Sequence, residues 1–357
     1  MSSLPAALQD LAALVDQFPP DAAELAAPDV ESATQLLRES RPDLFAVIAE
    51  VRERYLEHFG QSHQRAIELT GRALALSFVR MATRHGSWGT DHHHYHNEAH
   101  ALELLNGRLA RVRLTRGWEV LDADAWLQLS LFATCHDLRQ REHTDYDSLV
   151  GNNEKASIAE THRILLAAGF DRDTDADYFF SLGCMIAGST FDARPAPFNT
   201  AEAVSSGGSL APSLVREIRA TLAAEDHALA RTCHLMLVAA DLDTANVGEP
   251  YAALAGSSVR LVLEREMRSQ RSVDTAVSTT PVFEFLTVGQ ERYFFDLHRF
   301  VSDIGRDVFG QGKDENAPKV RAQTVRMRTA FEHRLGDPTL VGRTLIQHFL
   351  EGAEDLG

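Results

Sequence analysis

The stretch "SRPDLFAVIAEVRERYLEHFG", residues 40–60, sets the fold class. Leu44, Val47, Ile48, Val51, Tyr55 and Phe59 recur at three- and four-residue intervals, which places them on one face of a helix with charged residues on the other. Pro42 suits a first turn, where its missing N–H costs nothing, and Gly60 suits the stop. The same period runs through 62–84, 97–113, 123–136, 153–169, 211–223, 227–241, 255–270, 281–306, 315–335 and 338–351, with very little strand alternation. This predicts an all-α protein. Residues 1–40 are Ala-rich and broken at Pro19, Pro20 and Pro28, so they read as a helical N-terminal extension preceding one domain over 41–357. The segment 189–212 contains Pro195, Pro197, Pro212 and the Gly207–Gly208 pair; it reads as a long loop, either a lid or an inert insertion.

The chain has 357 residues and a formal net charge of −16, a balance that disfavours a phosphate-tracking nucleic-acid surface. No run approaches the roughly 18 apolar residues of a membrane helix, and the N-terminus has no signal-peptide pattern, so the expected compartment is the cytoplasm. Three cysteines, Cys135, Cys184 and Cys233, show no CxxC spacing, which turns the search for metal ligands toward nitrogen and oxygen. Five histidines fall within "DHHHYHNEAH", residues 91–100. The run is internal, which argues against a tag. His96 and His100 are four apart and share a helix face; His92, His93 and His94 read as a solvated strip or as outer contacts of the site.

Two further segments join them. "AWLQLSLFATCHDL" (125–138) is apolar nearly all round and ends in His136–Asp137, and "CHLMLVAADLDTAN" (233–246) runs into Asp241. Polar groups at the end of a buried helix need partners. Helix capping would satisfy each segment alone, whereas a divalent cation would satisfy all of them together.

The succession "YHNEAH", "HD" and "AADLD" resembles the HD superfamily of metal-dependent phosphohydrolases. Its first motif is similar to the YHNxxH signature of class I cyclic-nucleotide phosphodiesterases, and smaller bacterial HD hydrolases are similar as well. The resemblance covers residues 85–310, and it implies a multi-helix HD-type bundle. As metal ligands it implies His100, His136, Asp137 and Asp241, with Asp137 bridging two divalent cations (zinc, manganese, magnesium or iron). His96 matches the general acid, and "NNEKASI" puts Glu154 beside it; Tyr95 and Asn97 would orient ligands or the helix start. "MIAGST" and "FLTVGQERYFFDLHRF" resemble segments that meet the substrate, which makes Thr190, Gln290 and an aromatic clamp at Tyr293 or Phe294 the corresponding contacts. Arg194, in the adjoining loop, could meet a phosphate. Where phosphodiesterases continue HDxxH, this chain has Gln140. The implied activity is hydrolysis of a small-molecule phosphoester, a cyclic or other nucleotide among the substrates. The alternatives are a mixed-valent di-iron oxygenase of the same superfamily and a non-catalytic signalling or binding domain.

Overall fold

A computed structural model describes residues 4–5, 8–9, 11–143, 148–191, 208–221, 223 and 226–357. Every regular element of more than one residue among them is helical, so the protein is all-α. The described residues divide into two compact units. The first takes those within Met1–His92, His96–Ala193 and Ser209–Asp243; the second takes His93–Tyr95 and Thr244–Gly357, with Gly208.

The first unit contains α1 (Leu14–Gln17), α2 (Ala22–Ala26), α3 (Val30–Ser40), α4 (Pro42–Phe59) and α5 (Gln64–Arg84). It continues with α6 (Glu98–Leu102), α7 (Leu109–Arg116), α8 (Ala123–Cys135), α9 (Asn152–Ala168), α10 (Ala176–Ser189), α11 (Ala211–Thr221) and α12 (His227–Asp243). Helix α4 has the predicted ends, Pro42 in its first turn and Gly60 at φ 72° after its last, and buries Leu44, Ile48, Val51 and Tyr55. Helices α8 and α10 are buried over almost their whole length, as their all-apolar composition requires, and α10 packs on α8, α9 and α12.

The described residues among 1–40 fall within the first unit. Helices α2 and α3 pack on α5, and a charged network holds the N-terminal segment inside the first unit. Glu24 accepts two hydrogen bonds from Arg163, at 2.7 and 2.5 Å, and one from Arg80 at 3.2 Å. Arg84 joins Asp21 to Glu160 and donates through Nη1 to the Leu138 carbonyl. Glu24, Arg80 and Glu160 are buried, and burial pushes the Glu160 carboxyl up to about 7 although Arg84 and Arg80 pull it down. Sequence patterning misses such a network because a buried charge and a solvated one look alike in one dimension.

The second unit contains α13 (Tyr251–Arg268), α14 (Thr279–Glu284), α15 (Asp303–Phe331) and α16 (Gly342–Leu356), packed around Tyr251, Val262, Phe294, Met327 and Phe349. Two predicted spans change here. The span 281–306 becomes α14 followed by π-helical stretches at Phe285–Gly289 and Arg292–Leu297, ending where His298 turns extended. The span 315–335 becomes the second half of α15, which begins at the Ser302 cap and continues through Pro318. Residue Gly312 lies so close to the Gly248 carbonyl that any Cβ there would stand 2.2 Å from its oxygen. Among the described residues, no helix is long and apolar enough to cross a membrane.

Buried charge and buried imidazole each give a testable stability effect. Glu24→Ala strands Arg163 without its carboxylate and leaves Arg80 only the longer 3.7 Å pair with Glu160, and should cost about 3–5 kcal/mol in urea denaturation; a loss under about 1 kcal/mol would mean that water already shares the network. In the second unit, His298 is fully buried, with its Nδ1 3.1 Å from Lys313 Nζ. Burial, then Lys313 and Arg299, drive the imidazole from its ordinary 6.5 down to about 3. It is therefore neutral in the fold and takes up a proton more readily once unfolded. Stability present above pH 6.5 should be lost as pH falls toward 3, every factor of ten in proton affinity being worth about 1.4 kcal/mol. His298→Gln should flatten that decline between pH 6.5 and 4; parallel curves for the two proteins would assign the acid sensitivity to other groups.

Candidate metal centre

The first histidine element is built by a cap. Asn97 is extended and its Oδ1 accepts from the Ala99 N–H at 2.9 Å, which starts α6 and turns His100 inward to 1% exposure. The chain then widens into a π turn over Glu103–Arg108 before α7 resumes. Arg108, on that turn, donates through Nη1 to the Leu242 and Asp243 carbonyls at 2.8 and 2.6 Å, a cation at the carbonyl end of α12.

His136 and Asp137 leave the end of α8. The His136 Nδ1 lies 3.0 Å from the Phe132 carbonyl; a carbonyl only accepts, so Nδ1 carries a proton and Nε2 is the atom left to hold a second proton or a metal ion. That Nε2 is buried, 3.1 Å from Asp137 Oδ2 and 3.3 Å from Asp243 Oδ1, without a hydrogen bond of proper geometry among the described residues. His100 Nε2 stands 3.4 Å from Asp243 Oδ1 and 3.7 Å from Asp137 Oδ2. Two imidazoles and two carboxylates thus converge, and His100, His136 and Asp137 form a group spaced to hold an ion.

The donor spacing fits a cation. Ligands about 2.1 Å from one centre stand about 3.4 Å apart in a tetrahedron and about 3.0 Å apart on an octahedral edge, close to the spacing seen here. The electrostatics agree. Burial alone would raise Asp243, yet His136 and His100 hold its carboxyl well below the usual carboxylate range. Burial would likewise raise Asp137, but His136 and His96 lower it. His136 moves the other way: burial disfavours its charge, and Asp137 and Asp243 outweigh that to push it well above 6.5. This pocket calls for positive charge, which a proton on His136 or a metal ion can provide.

Of the residues read from sequence, His100, His136 and Asp137 are brought together, and His96 faces them with its ring 6.3 Å from that of His100. Glu154, in the first turn of α9, is raised by burial and by Asp137 and Asp243, and lowered by His96. Asp243 Oδ1 stands 3.4 Å from His100 Nε2 and 3.3 Å from His136 Nε2, and Asp241 is buried two residues earlier on α12. Two positions on a helix differ by about 200° around its axis, so the two side chains leave α12 on nearly opposite sides. Asn97 acts on the helix start. Gln140, at the place where HDxxH would put a histidine, donates to Asp137 Oδ1 at 2.8 Å.

Other expectations fall elsewhere. Tyr95 belongs to the second unit, where its N–H donates to Glu264. His93 is wholly buried, 3.2 Å from Glu264, so it is no part of a solvated strip. Thr190 is buried at the end of α10, and its Oγ1 has no hydrogen-bond partner among the described residues. Gln290 is a buried residue of the second unit, between its two π-helical stretches; Phe294 is core there, not a clamp. Arg194 and most of the 189–212 loop lie outside the described residues.

Asp243→Asn should weaken zinc or manganese binding by more than about a hundredfold in calorimetry, and Gln140→Ala by about ten- to a hundredfold through loss of ligand orientation. Helical circular dichroism should be unchanged in both. Undiminished affinity in Asp243→Asn would remove that residue from the ligand set. No family model matches the chain, and no curated protein or solved structure matches it.

Proposed function

We propose that the protein is a metal-dependent phosphohydrolase of the HD type, acting on a small phosphoester. The observation that carries this reading is the His136 Nε2, turned by the Nδ1 contact with the Phe132 carbonyl and aimed among the Asp137 and Asp243 oxygens, where a metal ion can replace its proton. Neutral nitrogen and anionic oxygen at such distances suit a divalent cation, zinc, manganese, magnesium or iron, held by His100, His136, Asp137 and Asp243. When bound, a cation of this kind acidifies water and neutralises charge on a phosphoryl group. A second cation, which the sequence resemblance implies, would extend the same centre.

The remaining chemistry belongs to the chain. His96 lies close enough to Asp137 to help lower that carboxyl, and a ring N–H of His96 would deliver a proton to the leaving oxygen. Glu154 feels the same group of charges, and its carboxyl, raised by burial, would accept a hydrogen bond from His96 or from water. Gln140 fixes Asp137, and Asn153 in turn donates to Gln140 Oε1 at 3.4 Å. The motif order in the sequence supports phosphoester chemistry over other uses of the same ligands. Thr190 and Gln290 remain candidates for substrate contact on that resemblance alone.

The test is a screen of cyclic nucleotides, nucleoside monophosphates and p-nitrophenyl esters with the protein loaded with each metal in turn. Phosphate release should depend on added metal. His96→Ala should retain the metal yet turn over alkyl esters about two to four orders of magnitude more slowly, with a smaller loss on p-nitrophenyl esters, whose leaving group needs less protonation. Equal losses on both ester types would make His96 structural. An iron-loaded, coloured protein inert to every phosphoester would favour the oxygenase alternative.

A further inference from the structure

Lysine is scarce in this chain: of its 35 Lys and Arg residues, only Lys155, Lys313 and Lys319 are lysine. Arginine is the usual cation here, and a guanidinium keeps its proton in any protein setting. A lysine adds one property, an amine that can lose its proton and act as a nucleophile. In the second unit, the π-helical stretch Arg292–Leu297 ends at His298, a place where the helix leaves carbonyls without an internal donor. Lys313 Nζ, from α15, donates to the His298 carbonyl at 2.7 Å and lies 3.1 Å from His298 Nδ1, with the centre of the Phe294 ring 5.2 Å away. Arg299 Nη1 donates to the same carbonyl, also at 2.7 Å. The two cationic nitrogens therefore stand no farther apart than twice that distance, and neither makes an ion pair with a carboxylate among the described residues.

This setting activates the amine and selects what it can hold. Burial first, then Arg299, bring Lys313 from its ordinary 10.5 down to about 8, and Asp314 offsets part of that. Lys313 is only partly buried and Arg299 is exposed, so a small molecule can approach from the guanidinium side. A Cβ added at Gly310, one turn before Lys313, would meet no atom within 4 Å; helical side chains lean toward the preceding turn, so open space adjoins the lysine stem. An aldehyde would turn the amine into a neutral imine, and an acyl donor into a neutral amide; either product leaves the Arg299 charge unanswered. Carbon dioxide is small, and it leaves a carboxylate on Nζ, which a guanidinium holds well.

We propose that Lys313 takes up carbon dioxide as a carbamate paired with the Arg299 guanidinium. The Nζ lone pair bonds to the carbon and one C–O π pair moves onto oxygen, so ammonium and carbon dioxide become a carbamate and two protons released to water. The N–H that remains on Nζ keeps a contact with His298, and two neighbouring cations become an ion pair. The site is independent of the metal centre. It is tested by equilibrating the full chain with carbon-13 bicarbonate at a fixed level of dissolved carbon dioxide, esterifying the carbamate with triethyloxonium, and mapping peptides by mass spectrometry. The label should appear on Lys313 ahead of Lys155 and Lys319, and should rise as pH passes through about 8. The N-terminal amine, with an ordinary pKa of about 8, reports that trapping works. Lys313→Arg, which keeps the charge, should remove the label, and Arg299→Gln should lower it about two- to fivefold, the range of a partly exposed ion pair. A labelled N-terminus beside an unlabelled Lys313, equal labelling of the three lysines, or a Lys313 yield indifferent to Arg299→Gln overturns the proposal.

Discussion

The first unit depends on where its buried arginines find carboxylates. Arg80, Arg84, Arg139 and Arg163 meet Asp21, Glu24 and Glu160 in a space from which water is largely excluded. Ion pairs of this kind add little net stability over apolar packing, because desolvation offsets much of the attraction. What they impose is specificity. Leucine and alanine faces can slide against one another at small cost, whereas a guanidinium displaced by one helical turn leaves two charges without partners. The network therefore fixes α2 against α5 and α9, and through Arg84 it holds the Leu138 carbonyl, one residue beyond Asp137. The Arg139 N–H, bound to Ser157 Oγ at 3.1 Å, secures the same turn to α9. The His136–Asp137 pair is thus anchored from behind by residues that take no part in its chemistry.

At the candidate centre the same rule meets a different outcome. In the network, each carboxylate faces a permanent cation. At the centre, Asp137 and Asp243 face imidazoles, and the orientation of His136 turns Nε2 toward them. Two anionic oxygens and a nitrogen lone pair are mutually repulsive at 3 Å unless positive charge lies among them. Neighbouring arginines could have supplied it, but Arg108 spends its Nη1 on the carbonyls at the end of α12, and Arg139 is committed to Glu24 and Glu142. The first cluster is neutralised by arginines, whereas the second is faced by imidazoles, whose charge depends on a proton.

Much of this could be read from the sequence, and the failures have physical causes. The helix over residues 42–59 was legible because an apolar stripe, a first-turn proline and a terminal glycine agree. His136 and Asp137 were legible because a polar residue at the end of an all-apolar helix has few places to go, and His100 was legible from its place in "YHNEAH". The approach of Asp243 to the imidazoles was not: "AADLD" offers two carboxylates on one helix, and which groups each one meets depends on the rotation of α12 relative to its neighbours. Gln140 read as a departure from the HDxxH pattern, and only its 2.8 Å contact with Asp137 gives the substitution a role. The membership of residues 21–40 in the first unit was hidden because Glu24 makes its contacts with Arg80 and Arg163, far along the chain. In α15, packing around Val320, Met327 and Phe331 outweighs the one hydrogen bond that Pro318 cannot make, and the break read between 306 and 315 is absent.

The π turn at Glu103–Arg108 shows why periodicity alone could not complete the site. In a regular α-helix two turns span about seven residues, so the position aligned with His100 two turns later would be residue 107, a glycine. A π turn adds one residue to the count and moves that alignment to Arg108. The two side chains then address one target from the same face. His100 approaches the Asp243 carboxylate, and Arg108 holds the Asp243 carbonyl at 2.6 Å. Fixing the backbone oxygen of Asp243 limits the directions its short side chain can take at the end of α12. A sequence scan at the period of 3.6 sees an uninterrupted helix over 97–113 and misses the inserted residue, although that residue aligns the base of the site with its carboxylate.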